Sequence, residues 1–259
     1  MKNIKEKFEN NFKNLIQLVK ILRSENGCDW DKAQTSDSLI PYMIEEVYEL
    51  IDSIDRKDYD NTKEELGDIM LHLVFQAQIL NEKGLFTIND ILENINTKLV
   101  DRHPQVFDKT SQSANAKINW ESKKHLEKKR ASRLDGVPNI LPSVIFSQRI
   151  QEKASLAGFD WDDIEEVWLK INEEINELKI AQRKKDFDNI YEEVGDLLFT
   201  VINLSRHLGI SAENALRKSN KKFIKRFQLL ESEINDLNKN IDECSSKELN
   251  KLWKRFKSN

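Results

Sequence analysis

A chain of 259 residues with 39% hydrophobic and 33% charged side chains can build helical cores with heavily solvated outer faces, as one large domain or two modest ones. Seven Gly and four Pro are few for this length, which argues against a sandwich, a barrel or a Rossmann fold and for long helices. The net charge of −4 gives no general reason for nucleic-acid binding, and no apolar run approaches the roughly 20 residues of a membrane helix.

The N-terminal stretch MKNIKEKFENNFKNL lacks the apolar run of a signal peptide. Cys28 and Cys244 have no metal-type spacing, so a reduced, cytoplasmic setting is expected, with no membrane and no nucleic-acid partner. Ile44, Val47, Leu50, Ile51 and Ile54 recur at helical spacing beside Glu45, Glu46 and Glu49. Leu66, Ile69, Met70, Leu73 and Val74 do the same beside Glu64, Glu65 and Asp68. The short connection DRKDYDN predicts that these helices pack antiparallel, with their apolar stripes in the core. A third helix fits Ile88–Leu99.

Further along, the arrangement returns. At an offset of 128 positions there are twelve identities between residues 45 and 75, most of them acids. Glu45, Glu46 and Glu49 fall on Glu173, Glu174 and Glu177, and Glu64, Glu65, Gly67 and Asp68 fall on Glu192, Glu193, Gly195 and Asp196. CDWD precedes the first unit and FDWD the second; Lys98 and Arg102 mirror Lys222 and Arg226, and Trp120 mirrors Trp253. RASRLDGVPNILPS lies between and reads as a linker. The expected organisation is all-α: a helical unit over 1–130, a linker over 131–139 and a second unit over 140–259. The second unit's third helix fits Ala212–Ile234, its last third extending past the bundle.

Glu46 and Glu49 are three apart and so lie on one side of a helix; Glu65 and Asp68 repeat the spacing on the next. Antiparallel packing lets the four converge. One like-charged pair at 4 Å costs roughly 4 kcal/mol at an effective dielectric of 20, so the group needs protons or a cation. Oxygen ligands without Cys or His favour Mg²⁺ or Mn²⁺ over zinc. Acid-rich helices are usually solvated faces, but here the acids are kept better than the core residues. Gly67 and Gly195, inside helices beside the last acid, imply a close helix approach or room for a ligand.

Other chemistries lack their residues. There is no GxxxxGK[ST], GxGxxG or GxSxG, and His72, His103, His125 and His207 form no HExxH. A di-iron bundle wants Glu-x-x-His, whereas Asp68 and Asp196 follow Glu65 and Glu193. His72 has Thr200 at its repeat position and reads as a structural or rim residue. Lys222, Lys225 and Arg226, with Trp253, supply cations for phosphate oxygens and an indole for a base.

With EEVYEL…EELGDIMLHLVF, EEINEL…EEVGDLLFTVINLSRHL, RHPQVF, LDGVPNILPS and GFDWDD in order, the chain resembles the two-domain MazG nucleoside triphosphate pyrophosphohydrolases from about Leu22 to Trp253. The resemblance implies tandem all-α units of the MazG and dimeric dUTPase type, a homodimer, and Mg²⁺-dependent hydrolysis of a nucleoside triphosphate to monophosphate and pyrophosphate, in housecleaning or nucleotide-pool control. It implies Glu174, Glu177, Glu193 and Asp196 as metal ligands, with Glu46, Glu49, Glu65 and Asp68 as first-half equivalents. Lys170, Glu173, Lys222, Lys225, Arg226 and Trp253 would touch the nucleotide, Glu173 also serving as the base toward water. A narrower pyrophosphatase for dUTP or damaged nucleotides, and a helical metal-binding interaction module without catalysis, are the alternatives. Lys170 has Tyr42 as its first-half counterpart, and Thr200, Asn203 and Arg206 stand where the first half has His72, Phe75 and Gln78. The second half is therefore expected to carry most of the turnover.

Overall fold

The structure is a computed structural model that describes residues 11–107 and 131–257. Trp120 and His125 lie outside the described residues. The chain divides into two compact units, Met1–Ala114 and Asn115–Asn259. Every regular element among the described residues is helical, as expected. No helix among them is long and apolar enough to cross a membrane.

The first unit contains α1 (Asn11–Leu22), α2 (Asp29–Ala33), α3 (Ile40–Arg56), α4 (Tyr59–Glu82), α5 (Ile88–Arg102) and α6 (Pro104–Phe107). The second contains α7 (Ser143–Leu156), α8 (Ile164–Lys184), α9 (Phe187–His207), α10 (Ala212–Asp236), a 3-10 turn (Ile241–Glu243) and α11 (Ser246–Lys257). The central pairs are α3 with α4 and α8 with α9, which pack along each other in their own units.

The turn inside each pair explains several repeat identities. Lys57 and Lys185 close α3 and α8 in the left-handed region, both at φ 58°. Asp58 and Asp186 then cap α4 and α9 by accepting from the backbone N–H of Asn61 (3.2 Å) and Asn189 (3.3 Å). Asp60 and Asp188 sit in the first turn, where the helix dipole favours an anion. Lys57, Asp58 and Asp60 thus recur for the turn, and the acids on the helix faces recur for another reason.

The expected apolar stripes are not the core. Ile44, Val47, Ile54, Leu66, Met70 and Leu73 are all exposed in the chain, and of the residues named for the two stripes only Val74 is fully buried. The first core instead joins α1 to the C-terminal half of α4: Val19, Leu39, Val74, Phe75 and Ile79, with Phe12, Leu15, Ile16 and Leu71 packed on them. The reason is positional. The α3–α4 face near the turn has no α1 to cover it, because α1 reaches only the later turns of α4. In the second unit Val167, Ile171 and Leu204 form the core, with Ile164, Ile175 and Leu197 against them.

Two further differences follow from local contacts. The last third of α10 does not project freely: Leu230 and Ile234 are buried, and α11 packs on this helix. The segment 131–139 is bound to the second unit, because the buried Lys153 on α7 donates to the carbonyls of Arg133 (3.3 Å) and Asp135 (3.1 Å).

Candidate metal centre

Helical spacing places Glu174 and Glu177 one turn apart on α8, and the α8–α9 packing brings Glu193 to them. One carboxylate oxygen from each lies within 4.8 Å of the others. Glu46, Glu49 and Glu65 make the same group across α3 and α4. Asp68 and Asp196 stand outside these trios, yet Asp68 raises the pKa of Glu46 and Asp196 that of Glu193 by charge repulsion. The structure therefore gathers three of the four expected ligands in each unit tightly, with the fourth close by.

The electrostatics carry the mark of crowded anions. Glu193 has its pKa raised first by desolvation and then by Glu177, Glu174 and Asp196. Glu46 is raised by burial and by Asp68 and Glu49; Glu65 by desolvation and Glu49. A donor set made only of carboxylate oxygens, short of positive charge, fits a hard divalent cation such as Mg²⁺ or Mn²⁺. Gly67 and Gly195 border open space: a Cβ at either would meet nothing within 4 Å. Of the two explanations for these glycines, close helix approach fails and room beside the acids remains.

The units differ in what faces the trio. Lys170, one turn before the acids, has its Nζ 2.8 Å from both Glu173 Oε1 and Glu174 Oε1. Glu174 is 4% exposed, so this lysine is its main compensation. The two carboxylates raise the Lys170 pKa and keep it charged. In the first unit Tyr42 packs edge-on to Trp30, with ring centroids 6.1 Å apart. There His72 approaches Glu46, Nε2 to Oε1 at 3.9 Å. Burial lowers the His72 pKa, partly offset by Asp68, so a neutral imidazole stands at that rim.

The other expected residues are placed differently. Lys222 and Lys225 are exposed on α10 and Arg226 is partly so; none forms an ion pair, with the trio or otherwise, among the described residues. Trp253 on α11 packs on Phe223 of α10, centroids 5.1 Å apart. Arg206 is not a free cation near the acids. Its Nη1 donates to Asp160 Oδ2 at 2.9 Å, its Nη2 also reaches Asp160, and Nε donates to Asn203 Oδ1 at 2.9 Å. The sequence showed the arginine but not its partner, because Asp160 lies 46 residues away.

Comparison with known proteins adds the family. The model of the MazG nucleotide pyrophosphohydrolase domain matches residues 34–107 and again 163–229, the two segments that carry the trios. The chain is 45% identical over 249 residues, 95% of each chain, to the nucleoside triphosphate pyrophosphohydrolase/pyrophosphatase MazG of Thermotoga maritima. It is 38% identical over 256 residues, 96% of this chain and 97% of the relative, to the nucleoside triphosphate pyrophosphohydrolase of Escherichia coli K12.

Proposed function

This chain belongs to the MazG nucleotide pyrophosphohydrolase family, and from that premise we propose that it hydrolyses nucleoside triphosphates to monophosphate and pyrophosphate at its carboxylate trios. The observation that carries the reading is the recurrence of a three-glutamate group, all within 4.8 Å, in both matched segments. The role is in housecleaning or nucleotide-pool control.

Glu174, Glu177 and Glu193 would hold Mg²⁺, with Asp196 beside them and Glu46, Glu49, Glu65 and Asp68 in the same roles in the first unit. The bound ion supplies neutralisation of triphosphate charge and a more acidic water. Glu173, held by Lys170, accepts the proton of the water that attacks the α-phosphorus. Lys170 offsets negative charge on the phosphate chain. Lys222, Lys225 and Arg226, uncommitted to ion pairs among the described residues, meet phosphate oxygens and steady the departing pyrophosphate, with Trp253 flanking them. The second unit, 140–259, carries most of the turnover, because Lys170 stands where the first unit has Tyr42.

The working species in this reading is a homodimer. The exposed stripe Leu66, Met70 and Leu73 on α4 recurs at the 128-residue offset as Val194, Leu198 and Val201 on α9, also exposed. An apolar stripe kept in register in both units has the character of a face that a second copy covers. The function is tested by product analysis with ATP and deoxynucleoside triphosphates in millimolar Mg²⁺. Monophosphate and pyrophosphate are expected; diphosphate and orthophosphate, or no turnover of any triphosphate, would overturn the reading.

A further inference from the structure

The two trios are built from the same acids, and one of them already has a cation on it. Glu45, Glu46, Glu49, Glu65 and Asp68 in the first unit have Glu173, Glu174, Glu177, Glu193 and Asp196 as counterparts. In the second unit Lys170 Nζ lies 2.8 Å from Glu174 Oε1, so an ammonium sits on one of the three gathered carboxylates. Its other bond, also 2.8 Å, runs to Glu173 Oε1. In the first unit no lysine or arginine pairs with Glu46, Glu49 or Glu65 among the described residues. The basic group that reaches Glu46 there is His72, at 3.9 Å, and burial keeps its imidazole neutral. Arg56 lines the concavity beside Glu49 and Glu65, but it is committed to Asp52 at 2.9 Å.

Helix stability does not account for Lys170. It precedes Glu173 and Glu174 on α8 by three and four residues, and the order with the lysine nearer the N-terminus is the weaker one for such pairs. The pair is also lopsided: the Lys170 side chain is 34% exposed and that of Glu174 only 5%. The lysine is the accessible partner and the carboxylate the buried one. A buried carboxylate without a partner is costly, so the ammonium stabilises Glu174 in the empty site. The same ammonium opposes a metal ion that would share this carboxylate. One charge within about 4–6 Å changes a carboxylate's affinity for a proton by roughly 10- to 1,000-fold, and a divalent ion carries twice the proton's charge.

We propose that Lys170 is a resident counter-ion that holds the second trio at low affinity for free metal, so that the first unit loads the free ion at lower concentration than the second. This rests on the metal role of the trios in the reading above. Lys170 acts in the empty site as a positioning residue, fixing the Glu174 carboxylate. Tyr42 stands at the equivalent place in the first unit, exposed and without charge, so nothing there opposes the ion. Two sites with the same ligands therefore differ in when they fill. A phosphate chain that engages the ammonium frees Glu174, which suits a second unit whose ion and triphosphate enter together.

The test titrates Mn²⁺ alone into the whole chain at pH 7 and reads free Mn²⁺ by electron paramagnetic resonance. The wild type should show two classes of site about 10-fold or more apart. Glu46→Gln with Glu49→Gln should abolish the tighter class, and Glu174→Gln with Glu177→Gln the weaker. Lys170→Met should tighten the weaker class about 10-fold, whereas Lys170→Arg, which keeps the charge, should leave it weak. Tyr42→Lys puts an ammonium at the same spacing in the first unit and should loosen the tighter class about 10-fold. It replaces an exposed side chain and serves if Lys170→Met disturbs folding, which circular dichroism checks. Three results would overturn the inference and leave the metal role standing: a single class of equal affinity, a tighter class that belongs to the second unit, or classes that neither Lys170→Met nor Tyr42→Lys moves in the folded protein. A wild type that binds no Mn²⁺ overturns both.

Discussion

Glu174 and Glu46 hold the same place in the repeat and meet different partners. Glu174 is 4% exposed and bridged to Lys170 at 2.8 Å; Glu46 is half-buried and faces a neutral His72 at 3.9 Å. The acids themselves were legible in the sequence, because helical spacing alone puts them on one side. Their unequal surroundings were legible only in part: Lys170 is on the same helix as its partners, whereas the Arg206–Asp160 pair spans two elements. Glu174→Gln should lower the rate of pyrophosphate release at saturating Mg²⁺ by on the order of 10²-fold or more. Glu46→Gln, assayed alongside, should have a much smaller effect. If Glu46→Gln is equally damaging, the turnover is not concentrated in the second unit. Lys170→Met provides a second reading. The raised pKa of Lys170 means that its stabilising contribution is fully present below the ordinary lysine range and is lost only as pH rises through the raised folded value. The variant should therefore melt lower than wild type at pH 7, by an amount that stays level between pH 6 and pH 9. A deficit that vanishes within that window would show that the lysine is not held by its carboxylates.

At the scale of elements, the turns between the paired helices and the stripes along them behave independently. The KD turn was visible as a repeat but not as a cap, since its logic lies in backbone angles: Lys185 at φ 58° ends α8, and Asp186 starts α9. Asp186→Ala should cost about 1 kcal/mol, seen as a few degrees of melting temperature, and leave the rate at 25 °C unchanged. A loss of rate in the folded variant would mean that the turn reaches the site. The apolar stripes were read correctly as helical and wrongly as core. Periodicity reports that a face is covered, and it does not report by what. Leu198 is 60% exposed in the chain, on the α9 stripe that recurs from α4. Leu198→Glu should shift the wild-type dimer toward monomer in sedimentation at micromolar protein. A wild type that is monomeric at that concentration, or a variant that stays dimeric, would remove the stripe from the interface.

For the whole molecule, the proposed metal role of the two trios predicts that stability depends on metal and pH together. Glu46, Glu65 and Glu193 all have pKa values raised by desolvation and neighbouring carboxylates. A carboxyl with a raised folded pKa binds its proton more tightly in the folded state, so its contribution is fully present below the unfolded value near 4.3 and is lost as pH rises through the folded value. Other acids act the opposite way: Glu82 is lowered by its hydrogen bond to Arg23, and Glu248 to about 2 by Ser245. Their contribution is present above the ordinary range and is lost on acidification. The melting curve of the apo protein therefore mixes both signs, and its pH dependence alone does not isolate the trios. The difference between melting temperatures in millimolar Mg²⁺ and in EDTA does, because the background acids cancel. Protons compete with the metal for Glu46, Glu65 and Glu193, so the Mg²⁺ increment should be largest at pH 8 and fall as pH drops through their raised values. At pH 8, Mg²⁺ at about 100 times its dissociation constant would add roughly 2.7 kcal/mol per site, several degrees for units of this size. Changing Glu174 and Glu177 together to Gln should remove about half of the increment, and adding Glu46→Gln and Glu49→Gln the rest. Equal melting temperatures in Mg²⁺ and EDTA at pH 8 would mean that the folded chain has no preformed site for the ion. An increment that persists undiminished at pH 4, below the ordinary glutamate value that these three exceed, would place the ion on groups other than these glutamates.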